Sequence, residues 1–140
     1  MNPRDIKIRL ATNEDGQRIG GLLKASGFHF DDFQINWSDI YPYWLVAEVA
    51  GEVIGCVQAC PSKPIGQIGL LSVDETVGIK ARAIAYKTLV MGAAATLYMA
   101  GCQLASGVIS DDEESWFGIA QKRGWTFIDS GNIVMKRLHQ

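Results

Sequence analysis

Two hydrophobic periods run along this chain, and the switches between them mark its elements. Ile6-Lys7-Ile8-Arg9-Leu10 alternates residue by residue, which predicts a strand with one apolar and one basic face. Thr12 with Asp15 three positions on has the spacing of a capping box. The helix it opens carries Ile19, Leu22 and Leu23 on one stripe, and Gly27 stops it. Phe28 to Pro42 is irregular, aromatic and acidic, with room for one short helix around Asp32–Trp37. Tyr43–Val49 and Val53–Cys60 then flank Ala50-Gly51-Glu52, the signature of an antiparallel hairpin. Ile65–Val73 reads as a further strand after the loop Pro61-Ser62-Lys63-Pro64. The longest helical pattern runs from Ile79 to Ala100 and ends at Gly101. Leu104–Ile109 is another strand. Asp111, with Glu114 as its box partner, opens a last helix that Gly124 closes, and Trp125–Ser130 pairs with Asn132–Leu138 across Ser130-Gly131.

The resulting order is strand, helix, optional short helix, three strands, helix, strand, helix and two strands. No repeat, linker or low-complexity tract divides it, so the expectation is one domain over residues 1–140. The class is α/β (α+β mixed), a mixed sheet with helices on both faces. Composition sharpens this modestly: 48% hydrophobic and 20% charged residues in 140 suit a globular chain with a real core. A net charge of −2 offers no general attraction to nucleic acid or anionic lipid, so a phosphate-bearing ligand must be gripped locally. The start Met1-Asn2-Pro3-Arg4-Asp5 lacks a signal-peptide core, and the apolar stretch Leu89–Ala100 is too short and interrupted for a membrane span. Cys56 and Cys60 lie four apart on one strand, roughly 13 Å between Cα atoms, too far to bridge. With Cys102 alone and only His29 and His139 as histidines, no metal cluster is expected. The three cysteines read as reduced core residues of a cytoplasmic protein.

Chemistry concentrates where Ile68-Gly69-Leu70-Leu71-Ser72-Val73 passes through Asp74-Glu75 and Thr76–Ala83 into the long helix. A strand feeding a helix start gathers unpaired backbone N–H groups and the positive end of the helix dipole, which favours an anion. Lys80 and Arg82 add charge beside it.

These residues resemble the acetyl-CoA pyrophosphate loop of the GCN5-related N-acetyltransferases (GNAT), Val-x-x-x-x-[Arg/Gln]-x-x-Gly-x-[Gly/Ala]. Val73 takes the valine position, Gly78 the Arg/Gln, Ala81 the first glycine and Ala83 the closing small residue. The hairpin Ala47–Gly55 and the stretch Ala120-Gln121-Lys122-Arg123-Gly124-Trp125 are similar to further family segments, and the element order matches over essentially the whole chain. The resemblance implies a mostly antiparallel sheet of six to seven strands with a splayed central parallel pair. It implies acetyl-CoA as cofactor, with Leu71, Ser72 and Val73 along the pantetheine arm and Gly78, Ile79, Lys80, Ala81, Arg82 and Ala83 around the pyrophosphate. It also implies an N-acetyltransferase acting on an amine of open identity. Family members often dimerise, and Trp44 and the C-terminal hairpin are the surfaces offered for a homodimer.

The family's catalytic groups do not carry over. Its proton-donating Tyr falls on Ala120 and its Asn on Glu113, and the strand before the loop offers only Gln67 and Ser72 where a carboxylate base is common. Ser115, Tyr86, Asp74 and Glu75 are substitutes, each with a plainer structural reading, so no catalytic residue is assigned. The alternative is therefore a catalytically silent acyl-CoA-binding, regulatory or structural module of the same fold. On the acceptor side, Gly27–Pro42 supplies His29 as a base, Asp31 and Asp32 as partners for a cationic amine, and Trp37 as a cation–π wall. Packing aromatics and a helix cap explain the same residues.

Overall fold

The computed structural model describes residues 3–30, 33–108, 119–127 and 133–138. Its principal elements are β1 (Lys7–Leu10), α1 (Gly16–Ala25), β2 (Trp44–Val49), β3 (Glu52–Cys60), β4 (Ile65–Val73), α2 (Ile79–Met99), β5 (Leu104–Val108), β6 (Thr126–Phe127) and β7 (Ile133–Arg137). The strands pair in the order β1-β2-β3-β4-β5-β7-β6, seven in all, so the mixed sheet expected from the sequence is present. The β1/β2, β2/β3, β5/β7 and β6/β7 pairs are antiparallel, and β4/β5 is parallel. Two compact units share these elements: Met1–Gln58 with Leu70–Ala93, and Ala59–Gly69 with Ala94–Gln140.

In the first unit the β2–β3 hairpin closes through Ala50 (φ 52°) and Gly51 (φ 80°), the two left-handed residues that match strand twist in a two-residue turn. Its register shifts between Ala47 and Glu48, a bulge. Asp15 accepts the Thr12 amide at 2.8 Å, as the capping-box spacing demands, although the first turn is a 3-10 turn at Asn13–Asp15. Arg9 bridges Asp15 (2.8 Å) and Glu48 (2.9 Å), tying β1 to that turn and to β2. The helix stripe Ile19, Leu22 and Leu23 packs into a core with Ile40, Trp44, Val46 and Cys56. α2 buries Ala81, Ala85 and Leu89 at four-residue spacing. Ser72 contacts α1 while Val73 and Leu89 close on Gly55, so α1 and α2 cover opposite faces of β4.

Three expectations need correction. No helix forms over residues 33–37, where Phe33–Phe30 and Asp39–Asn36 backbone bonds make successive turns instead. Trp44 is 6% exposed and belongs to the core, so it is no surface for a dimer. Cys60 is only half-buried, unlike Cys56 and Cys102, and all three thiols are free.

In the second unit β5 lies between the first half of β4 and β7. The helix before the last strands is described only from Ile119 to Lys122, and its Asp111 and Glu114 cap lies outside the described residues. The final pair is described at Thr126–Phe127 against Val134–Met135, and the turn expected at Ser130-Gly131 lies outside the described residues. Among the described residues no helix is long and apolar enough to cross a membrane.

Two glycines of α1 give a test of this packing. A Cβ at Gly16 would sit 1.3 Å from the Trp37 carbonyl oxygen, whereas one at Gly21 meets nothing within 4 Å. Gly16→Ala should cost about 2 kcal/mol or more in urea unfolding, and Gly21→Ala should gain about 0.5–1 kcal/mol from helix propensity. Equal effects at the two positions would contradict the close approach of the loop to α1.

Candidate functional site

The β4/β5 ladder pairs Ile65 with Leu104, Gly66 with Ala105 and Gln67 with Ser106, and it stops there although both strands continue. Just beyond, Leu70 adopts a left-handed backbone (φ 51°), rare for a branched residue and able to redirect a strand as a bulge does. Its side chain packs beside Phe28, Phe30 and Trp37 on the α1 core. Ser72 and Val73 are both 1% exposed. Ser72 donates to the Leu22 carbonyl at 2.9 Å and touches the Ser26 hydroxyl at the end of α1. Its side chain is thus committed inward, and at Ser72 the main chain is what faces outward. The Asp74 amide donates to Ile54 of β3 at 2.8 Å, so alternation aims the peptide groups of Leu71 and Val73 at the edge away from β3.

The turn from Asp74 to Gly78 is held by one carboxylate. Asp74 Oδ1 accepts from the Thr76 amide (2.9 Å) and hydroxyl (2.7 Å), and its Oδ2 pairs with Arg18 Nη2 at 2.8 Å. The Val77 amide returns to the Asp74 carbonyl at 3.2 Å. These bonds, Thr76 first and then Arg18, lower the Asp74 pKa to about 2. Sequence reading takes Asp74 as an acid drawn to the helix dipole; its carboxylate instead serves the turn and Arg18.

Gly78 ends the turn, and its carbonyl accepts the Arg82 amide at 2.9 Å. It is thus the N-cap residue of α2, yet it has no side chain with which to cap. The amides of Ile79, Lys80 and Ala81 consequently have no acceptor within their own helix. A Cβ at Gly78 would meet nothing within 4 Å, so the space beside these amides is open. Gly78, Ile79, Lys80 and Ala83 are exposed, while Ala81 is buried in a right-handed helical conformation that lets its backbone lie close to the sheet. Arg82 is half-buried, and its Nε is buried without a hydrogen-bond acceptor. Orphan amides at a dipole end suit a di-anionic group such as a pyrophosphate.

A cleft of about 360 Å³ lies between Gly20, Gly21 and Lys24 of α1 and Phe28, Phe33 and Trp37 of the loop that follows it. Trp37 lies edge-on to Phe30 (5.9 Å between centroids) and Trp44 (6.4 Å), with its indole over Gly20. It is wedged between the cleft and the core. His29 is exposed, and Asp31 and Asp32 lie outside the described residues.

Burial pushes the Cys56 thiol up to about 12, and the thiol faces the Leu70 carbonyl, so Cys56 stays a neutral core group. Ala120 presents a methyl group in a helical turn where the family pattern has a proton donor. Gln67 and Glu75 are exposed and Tyr86 is half-buried; Glu113 and Ser115 lie outside the described residues. Sequence reading misses Arg18 and Ser26, whose partners stand 56 and 46 residues away. No local spacing signals either contact.

The Asp74 pair has a pH signature. Its folded pKa lies below the ordinary 3.8, so its stabilising contribution is complete above that value and fades as pH falls towards about 2. In denaturant titrations, wild type should exceed Asp74→Asn in stability by a constant margin at neutral pH, and the margin should close under strong acid. A margin unchanged by pH would contradict the ion pair.

No protein-family model matches the sequence, and no curated protein does. Solved structures do resemble it. N-acetylglutamate synthase from Neisseria gonorrhoeae, complexed with coenzyme A and L-arginine, aligns with a TM-score of 0.71 and 17% identity over 96% of this chain. This chain spans only 34% of that synthase's length. PaiA N-acetyltransferase from Thermoplasma acidophilum, in complex with coenzyme A, gives 0.69 and 15% identity over 94% of this chain and 98% of its own. A GNAT-family acetyltransferase from Staphylococcus aureus Mu50 gives 0.74 and 11% identity over 96% and 99%. At these identities it is the fold that is shared, and the fold of this chain is that of the GNAT acetyltransferases.

Proposed function

We propose that the protein is an acetyl-CoA-dependent N-acetyltransferase acting on an amine. One observation carries the reading: α2 begins at a glycine that cannot cap it, leaving the amides of Ile79, Lys80 and Ala81 open to an anion. Coenzyme A is present in the gonococcal and Thermoplasma structures, and its pyrophosphate has the charge and size these amides suit. Gly78, Lys80, Arg82 and Ala83 surround the anion in this reading, and the main chain of Leu71, Ser72 and Val73 runs along the pantetheine arm as an added strand would. The acceptor enters the aromatic cleft, with Trp37 beside it and His29, Asp31 and Asp32 in the same loop. Three free thiols fit a reducing, cytoplasmic setting.

When bound, acetyl-CoA supplies an activated thioester: the amine nitrogen forms the new C–N bond, the C–S bond breaks, and the proton lost by nitrogen ends on the thiolate. The chain's own contribution is binding and orientation, since the amides and Arg82 hold the anionic end while the β4 edge fixes the arm. Ala120 supports a second reading, a module that binds acyl-CoA without turnover, because a methyl group donates no proton. Thiol release across a panel of amines and peptides separates the two.

Gly78→Asp provides the decisive variant. A carboxylate there caps α2 and repels pyrophosphate, so the free protein should gain a few tenths of a kcal/mol while CoA binding is lost. Wild type at CoA 100-fold above its Kd should gain about 2.7 kcal/mol, read as a rise in melting temperature. A CoA-induced rise that survives in Gly78→Asp would place the anion elsewhere, and no rise in wild type would remove the proposal.

A further inference from the structure

We infer that Arg18 is a positioning residue for the cofactor loop, setting the direction of the α2 amides through Asp74. The inference rests on the reading that this loop holds the pyrophosphate of coenzyme A. Arg18 stands in the first turn of α1 and makes two bonds: its Nε donates to the Val53 carbonyl at 2.9 Å and its Nη2 to Asp74 Oδ2 at 2.8 Å. The next carbonyl of β3, Ile54, accepts the Asp74 amide at 2.8 Å. Side chain and main chain of Asp74 are therefore both registered on residues 53–54 of the same strand.

An aspartate that only capped a turn would keep a free oxygen and a rotatable carboxylate. Here Oδ1 serves Thr76 and Oδ2 serves Arg18, so the plane of the carboxylate is fixed from both sides. Only Glu75–Gly78 separate this fixed point from the first helical amide at Ile79. In so short a connection, the orientation of Asp74 passes directly to Gly78 and the amides that follow. Arg18 also neutralises a negative charge near an anion site, and that electrostatic role is separable from positioning by experiment.

Calorimetric Kd values for CoA should be measured for wild type, Arg18→Met, Asp74→Asn and the double variant, each well below its melting temperature. If Arg18 positions the loop, all three variants weaken CoA by about fivefold, the scale of one part-exposed ion pair, and the double variant loses no more than either single one. If Arg18 only neutralises Asp74, removing the carboxylate leaves affinity at the wild-type value or tightens it, and the double variant recovers; either result overturns the inference. Arg18→Met binding within twofold of wild type also overturns it while leaving the proposed function standing. Failure of wild type itself to bind CoA removes the underlying reading first. Should Arg18→Met not fold, Asp74→Asn decides, since it keeps side-chain volume and the bonds to Thr76.

Discussion

The amides that open α2 have no acceptor inside their own helix, and the rest of the site is arranged around that fact. A serine or aspartate at position 78 would satisfy one of them, but the chain has glycine there, in open space. Everything upstream keeps these groups in place: β4 is anchored on β3 through Asp74 and Ile54, and the turn is folded on a carboxylate shared between Thr76 and Arg18. Downstream, the stripe Ala81, Ala85 and Leu89 fixes the helix to its core. In the proposed reading, open backbone donors on a rigid support form a preorganised anion cradle, because no reorganisation is needed to accept the charge.

A second consequence follows for β4. Its side chains at Ser72 and Val73 are spent on the two covering helices, so at these two positions the strand offers outward only peptide groups. The solved structures of this fold share it at identities of 11–18% with TM-scores near 0.7. Ala81 stands where the family pattern has glycine, and a helical alanine preserves the same backbone groups.

Much of this architecture was legible in the residue pattern. The hairpin around Ala50-Gly51, the α1 stripe and the bounds of α2 depend on local periodicity and turn chemistry, which operate over a few residues. The mixed sheet and the strand-to-helix junction followed from their order, and the central parallel pair from the family resemblance. What stayed hidden depends on contacts between distant segments. The left-handed Leu70 has no sequence signal, since a leucine there violates local preference and is held by tertiary packing. Phe33 and Trp37 stand at helical spacing, yet the Trp37 ring is drawn to Phe30 and Trp44, and turns replace the helix. Trp44 looked like an interface residue for want of any way to see the core it fills. Arg18, 56 residues from Asp74, was invisible for the same reason.

Backbone hydrogen exchange tests the central claim most directly. On adding coenzyme A, the amides of Ile79, Lys80 and Ala81 should exchange markedly more slowly, as groups that gain an acceptor they previously lacked, with Leu71 and Val73 following along β4. Unchanged exchange at the start of α2, with protection appearing elsewhere or nowhere, would contradict the account.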